Sequence, residues 1–185
     1  MSQLNVDTIK KADGTGSLTV PAETGTLVIK DGSNDVTLND ITAGGIYLGG
    51  AGAANKLEDY EEGTFTATFA DESSGGNTTT TSSLAEYVKV GDMVNIVIHI
   101  TAMDTTGLTS GNPIFLQGMP FNSKQANWGS VRLSGISFSG FVTGQIQGSY
   151  VRLRDNISDS SSFIPISQVT DDDGQIYATF TYRAS

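Results

Sequence analysis

The aromatic residues of this chain are divided very unevenly, and that division limits what its first third can become. Residues 1–56 hold a single aromatic, Tyr47, while the other fourteen all lie from Tyr60 onward. Ordering a segment of that length costs roughly 1–2 kcal/mol of backbone entropy per residue. The apolar residues available there are small and scattered, in the strand-like pieces LNVDTI, GSLTVP, GTLVIKDG, VTLNDI and GGIYLGG. They carry too little volume for a separate monomeric core. If they are ordered, they bury their apolar faces against something else, and copies of themselves are the nearest candidates. The expectation is an intertwined homo-oligomer with a compact β head, a structural protein and not an enzyme.

Ser, Thr, Gly and Asn are abundant, whereas Leu, Lys and Glu are sparse, which favours strands and turns over helices. The nearest approach to a helix is residues 53–62, AANKLEDYEE, read as a short helical turn or a loop. With no cysteine there is no disulfide framework and no thiolate metal site. No apolar stretch approaches the ~20 residues of a membrane helix, and SQLNVDTIKK lacks the apolar core of a secretory leader. Net charge is −10, and both the first 56 residues and the remainder are acidic. A nucleic-acid partner is therefore not expected, because phosphate binding needs a positive face.

The organisation follows from periodicity. A stem covers residues 1–56, where Leu4, Val6, Ile9, Leu18, Val20, Leu27 and Ile29 are the expected attachment and trimerisation residues. Asp31-Gly32 closes a hairpin, and the glycines of GGIYLGGAGAA mark a hinge. The head covers residues 57–185. Phe65, Ala67 and Phe69 alternate with threonines as a half-buried strand, and residues 71–83, DESSGGNTTTTSS, form a surface loop. Tyr87 to Ile100 is a hairpin turning at Gly91-Asp92, with Val94, Ile96, Ile98 and Ile100 on one face. Val131, Leu133, Ile136, Phe138, Phe141 and Ile146 suggest further strands between glycines. Tyr150–Arg154 turns Val151 and Leu153 inward and Tyr150, Arg152 and Arg154 outward. Gln175–Arg183 buries Ile176, Ala178, Phe180 and Tyr182. Seven or eight short strands with regular turns predict an all-β chain, an extended stem followed by an antiparallel, jelly-roll-like β-sandwich.

Motifs in order along the head carry a resemblance. NKLEDYEEGTFTATF resembles the LDDYEEGTWTP segment of tail-fibre and related virion proteins of tailed bacteriophages. YVKVGDMVNIVIHI is similar to the strand pair that follows it there, IFLQGMPF to an L-x-G-L-P-F element, and IYATFTYRAS to the closing strand. The opening SQLNVDTIKKADGTGSLTVPAETGTLV resembles N-terminal regions of fibres from phages of aquatic hosts. Each motif alone is weak, and the ordered set is fairly specific. The resemblance implies a homotrimer located in the virion, on the phage tail. Its N-terminal part would dock on a baseplate or tail adaptor protein, and its head would bind a host cell-surface glycan. Fibres usually carry long repetitive shafts and this chain has almost none, so a capsid cement protein is the alternative. Neither reading involves a cofactor, a metal or membrane insertion.

Few residue groups suggest chemistry. His99, the only histidine, has no cysteine partner and reads as a strand position. Asp171, Asp172, Asp173 and Gly174 lack the spaced ligands of a calcium loop and read as a solvated turn. Glu58, Asp59, Glu61 and Glu62 superficially suggest paired carboxylates for glycoside hydrolysis. They sit at the junction of stem and head, where they face solvent or pair with a lysine such as Lys56 or Lys89. GGAGAA lacks the Lys-Ser/Thr ending of a phosphate loop. The receptor-binding candidates are Asn127, Trp128, Tyr150, Arg152 and Arg154. The tryptophan would stack on a sugar ring and the outward arginines would meet anionic glycans. The competing expectation makes Trp128 a cap on the core and pairs the arginines with acids of a neighbouring subunit.

Overall fold

The computed structural model describes residues 46–47, 56–57, 59–71, 78–81 and 84–185. Leu4, Val6, Ile9, Leu18, Val20, Leu27 and Ile29, expected in a stem, and the turn expected at Asp31-Gly32 lie outside the described residues. The chain is all-β and antiparallel. The strands are β1 (Ile46–Tyr47), β2 (Lys56–Leu57), β3 (Tyr60–Thr64), β4 (Thr68–Ala70), β5 (Thr78–Thr81), β6 (Leu84–Val90) and β7 (Met93–Met103). They continue with β8 (Phe115–Gln117), β9 (Ser123–Ser134), β10 (Phe141–Gly148), β11 (Tyr150–Ile157), β12 (Ser160–Phe163) and β13 (Gly174–Arg183). A 3-10 turn spans Ile166–Gln168. No helix among the described residues is long and apolar enough to cross a membrane.

β1 and β2 pair with each other, and the other strands form one curled sheet in the order β3-β6-β7-β13-β9-β10-β11-β8-β4-β5, with β12 also on β11. The curl is made at β9. Its last residues, Ser130–Ser134, pair with β13, and its earlier residues pair with β10. Side chains alternate across each strand, so the two halves of the sheet pool their inner faces in one core. Val94, Ile96, Ile98, Ile100, Ile176, Phe180 and Tyr182 come from one half, and Phe69, Leu116, Ile146, Val151 and Leu153 from the other. β9 and β10 make room for the largest ring. Gly129 pairs with Gly144, and a Cβ on Gly144 would lie 2.5 Å from Phe180 Cζ.

Two-residue turns join the hairpins at Gly91-Asp92, Gly148-Ser149 and Ser158-Asp159, where Gly91, Gly148 and Ser158 have φ of 59°, 59° and 51°. Positive φ at the first turn position matches the twist of the flanking strands. At the opposite edge, Lys89 donates to Asp59 at 2.5 Å and Glu61 at 3.0 Å, fastening β3 to β6. Those two carboxylates hold Lys89 above its ordinary value.

Four expectations are corrected. Residues 53–62 contain no helical turn among the described ones, because Lys56–Leu57 and Tyr60–Thr64 are strands, each held by a ladder to a neighbour. The loop expected at residues 71–83 contains β5, whose threonines are β-branched and suit a strand. Asp71 is buried, accepting a hydrogen bond from the Thr109 amide at 2.7 Å. Of the aromatics expected to continue a strand series, Phe138 is an exposed loop residue and Phe141 opens β10 facing solvent. From Tyr60 onward the described strands number eleven, more than the seven or eight expected for the head, because short pieces such as β3, β5 and β12 hold no apolar alternation to read.

Tyr182 closes the core beneath the β8–β9 connection, its hydroxyl donating to the Phe121 carbonyl at 3.0 Å. Burial pushes its phenol from 10.0 up to about 12. A folded-state value raised above the unfolded one means the contribution is whole below pH 10.0 and is lost as the pH climbs through about 12. Tyr182→Phe is expected to cost about 1 kcal/mol at neutral pH for the missing bond. It should also flatten the alkaline fall in stability, which urea unfolding at neutral and alkaline pH measures. An alkaline fall identical to wild type would contradict this role.

Candidate functional site

The register of β9, β10, β11, β8 and β12 sets which side chains share the outer face of that half of the sheet. Trp128 stands opposite Gln145, which stands opposite Arg152, and Arg152 stands opposite Phe115. Gln147 faces Tyr150, while Arg154 sits between Thr143 on one side and Phe163 on the other. These outward positions are fixed by Val151, Leu153 and Ile146, which point the other way into the core.

Both arginines lie along this face, among aromatic rings. The Arg154 guanidinium carbon is 4.2 Å from the Phe163 ring centre and 5.8 Å from that of Trp128. The Arg152 guanidinium carbon is 4.9 Å from Phe163, 5.3 Å from Tyr150 and 5.8 Å from Phe115. Glutamines orient the guanidinium groups: Arg154 Nε donates to Gln145 Oε1 at 3.1 Å and Arg152 Nη2 to Gln147 Oε1 at 2.6 Å. Arg152 Nε is buried with no hydrogen-bond partner. Among the described residues neither arginine is ion-paired, and none of the described strand positions on this face is acidic. Trp128 is 55% exposed. It is therefore a surface side chain, and the expectation that it caps the core is corrected.

Chemically, the arrangement is two permanently charged, planar guanidinium groups with free donor edges, held flat by cation–π contacts and positioned by amides. Such a pair suits a carboxylate or sulfate, with a tryptophan beside it that offers a flat face to a pyranose ring. Four of the sequence candidates, Trp128, Tyr150, Arg152 and Arg154, are brought together. Asn127 is not. It pairs with Ile146, on the core side of β9, and its amide donates to the Gln125 carbonyl at 2.8 Å and Ser123 Oγ at 3.3 Å. Its neighbour in sequence is on the opposite face because strand side chains alternate. Phe163, Phe115, Gln145 and Gln147 were not foreseen. The Gln-x-Gln spacing of GQIQG was a legible sign of an outward pair on β10, whereas Phe163 and Phe115 arrive from non-adjacent strands.

The other polar groups are structural. Asp171 accepts from the Thr105 amide at 2.6 Å and hydroxyl at 2.7 Å, which hold its carboxyl below the ordinary value. Thr106 donates its amide to Asp104 at 2.7 Å, so the grouped carboxylates of Asp104, Asp171 and Asp172 belong to a hydrogen-bonded junction of two turns. Asp173 and Gly174 complete that turn, with amides bonded to the Thr170 carbonyl. Of the described acids at residues 59–62, Asp59 and Glu61 are occupied by Lys89, and Glu62 accepts from the Tyr60 hydroxyl. His99 stacks on Tyr177 with ring centres 3.9 Å apart. No protein-family model matches the chain, and no curated protein sequence matches it.

Proposed function

We propose that the chain is a non-enzymatic tail-fibre protein of a tailed bacteriophage, a short fibre or spike whose head binds a glycan on the host cell surface. The observation that carries the reading is the Arg152–Arg154 pair, set among Trp128, Phe163, Tyr150 and Phe115 and free of carboxylate partners among the described residues, in a chain of net charge −10. An acidic protein that keeps two arginines unpaired on aromatic rings has a surface suited to a ligand that brings the negative charge with it. The head is an antiparallel, jelly-roll-like sandwich, and residues 1–56 are an intertwined stem that trimerises and docks on a baseplate or adaptor. Three heads per fibre and several fibres per particle turn weak single sugar sites into firm attachment, through effective concentration.

Two experiments test this placement. Cryo-electron microscopy of the intact particle is expected to find the chain as a trimer projecting from the tail. Copies spread over the capsid would instead establish a cement protein and sink the fibre reading. Deleting residues 1–50 is expected to leave a folded head that no longer joins particles. Normal incorporation of the shortened protein would contradict the anchoring role of the stem.

A further inference from the structure

The opposite half of the sheet presents a different surface. Register places Tyr60, Leu84, Val88, Val90, Met93 and Val97 together on the outer face of β3, β6 and β7. All six are exposed. An antiparallel sheet with one face in water normally keeps that face polar, and a grouped apolar face marks an interaction surface. Across its middle runs a row from four strands, Leu84, His99, Tyr177 and Arg132, each opposite the next. Arg132 lies over the Tyr177 ring at 5.1 Å. A groove of about 500 Å³ follows this row, and a second of about 330 Å³, between Glu62, Glu86 and Val88, meets it at Val97.

Charge on this face is polarised. Glu62 and Glu86 lie on the β3–β6 flank and Arg132 on the β9–β13 flank, while Arg183 is already paired with Asp92 at 3.0 Å. Among the described residues, Glu86 and Arg132 have no ion-pair partner. They cannot pair within one chain, because their strands stand three intervals apart, roughly 14 Å at the usual strand spacing. The two flanks are complementary to each other, so the surface fits another copy of itself.

We propose that this face docks on a second copy of the chain. The β3–β6 flank of one copy lies against the β9–β13 flank of the next, Glu86 faces Arg132, and the strip around Val97 is buried between them. Such a contact joins unlike patches and closes into a ring when the rotation allows. The inference deepens the self-association in the proposed function and rests on that part of it alone, independently of the arginine face.

The chain has no cysteine, so introduced thiols report this contact cleanly. The test uses the full chain carrying Glu86→Cys and Arg132→Cys, under oxidation, beside a control carrying Glu86→Cys and Ser161→Cys. Ser161 is on β12, in the arginine-bearing half of the sheet. The expected result is disulfide-linked oligomers for the first pair and not for the control. In parallel, Glu86→Arg should weaken self-association by about tenfold, and Glu86→Arg with Arg132→Glu should restore it, since opposed charges across an interface set its register. A wild-type chain that self-associates while neither cysteine pair links, or both link equally, overturns this face as the contact. A wild-type chain that is monomeric by sedimentation at tens of micromolar overturns the self-association beneath it. The arginine site would be untouched by either failure.

Discussion

Phe180→Ala is expected to remove about 3–5 kcal/mol of stability, a large share of the ~5–15 kcal/mol that holds a domain of this size. Phe180 is buried where the two halves of the sheet meet, and its ring fills space that β9 and β10 leave open by pairing Gly129 with Gly144. Neighbours without side chains cannot lean into the hole left by the truncated ring, so the cavity persists. Phe180→Leu keeps most of the volume and should cost distinctly less. Urea unfolding followed by circular dichroism measures both, and the alanine variant should unfold at a much lower urea midpoint with a similar slope. Equal midpoints for Phe180→Ala and wild type would mean the two halves do not share one core.

The second large effect concerns the arginine face. Arg152→Ala and Arg154→Ala together are expected to reduce binding of an acidic host polysaccharide by at least about a hundredfold. A hydrogen bond to a charged group contributes about 1.5–3 kcal/mol, and each 1.4 kcal/mol is a factor of about ten. Arg154→Lys is an informative companion, because a lysine keeps the charge and loses the planar fork. It should recover only part of the affinity. Both side chains lie on the outer face, so the variants should melt close to wild type, which separates lost binding from lost folding. Binding is read by calorimetry against the polysaccharide. Equal affinity for the double variant would remove the arginines from the site.

Much of this was legible from alternation alone. MVNIVIHI, YVRLR and QIYATFTYR each declare an inner face, and the Gly91-Asp92 turn could be read from its neighbours. From that alternation the outward placement of Tyr150, Arg152 and Arg154 follows directly. The partners of those residues were not legible, because Phe115 reaches Arg152 through β8 and Phe163 reaches Arg154 through β12. A short strand such as SSSF has no period of its own, and its place is decided by its ladder to β11. Asn127 lies apart for a related reason: adjacency in sequence to Trp128 puts it on the other side of β9. The exposed row on β6 and β7 was hidden because Val88, Val90 and Val97 look like core residues in sequence. Alternation sets Val97 opposite Ile96 and Ile98, but only the register gathers it with Leu84, Val88, Val90, Met93 and Tyr60 from neighbouring strands.

Trp128 is the only tryptophan in the chain and stands beside Arg154, so tryptophan emission, excited apart from the six tyrosines, reports on this face and no other. The most direct measurement is a titration of the intact protein with surface polysaccharide from a bacterial host of the proposed phage, following that emission. A saturable change that vanishes in the Arg152→Ala/Arg154→Ala variant is the predicted result. Firm attachment of the protein to host cells, with Trp128 emission unchanged at saturation, would contradict the arginine–aromatic face as the binding site.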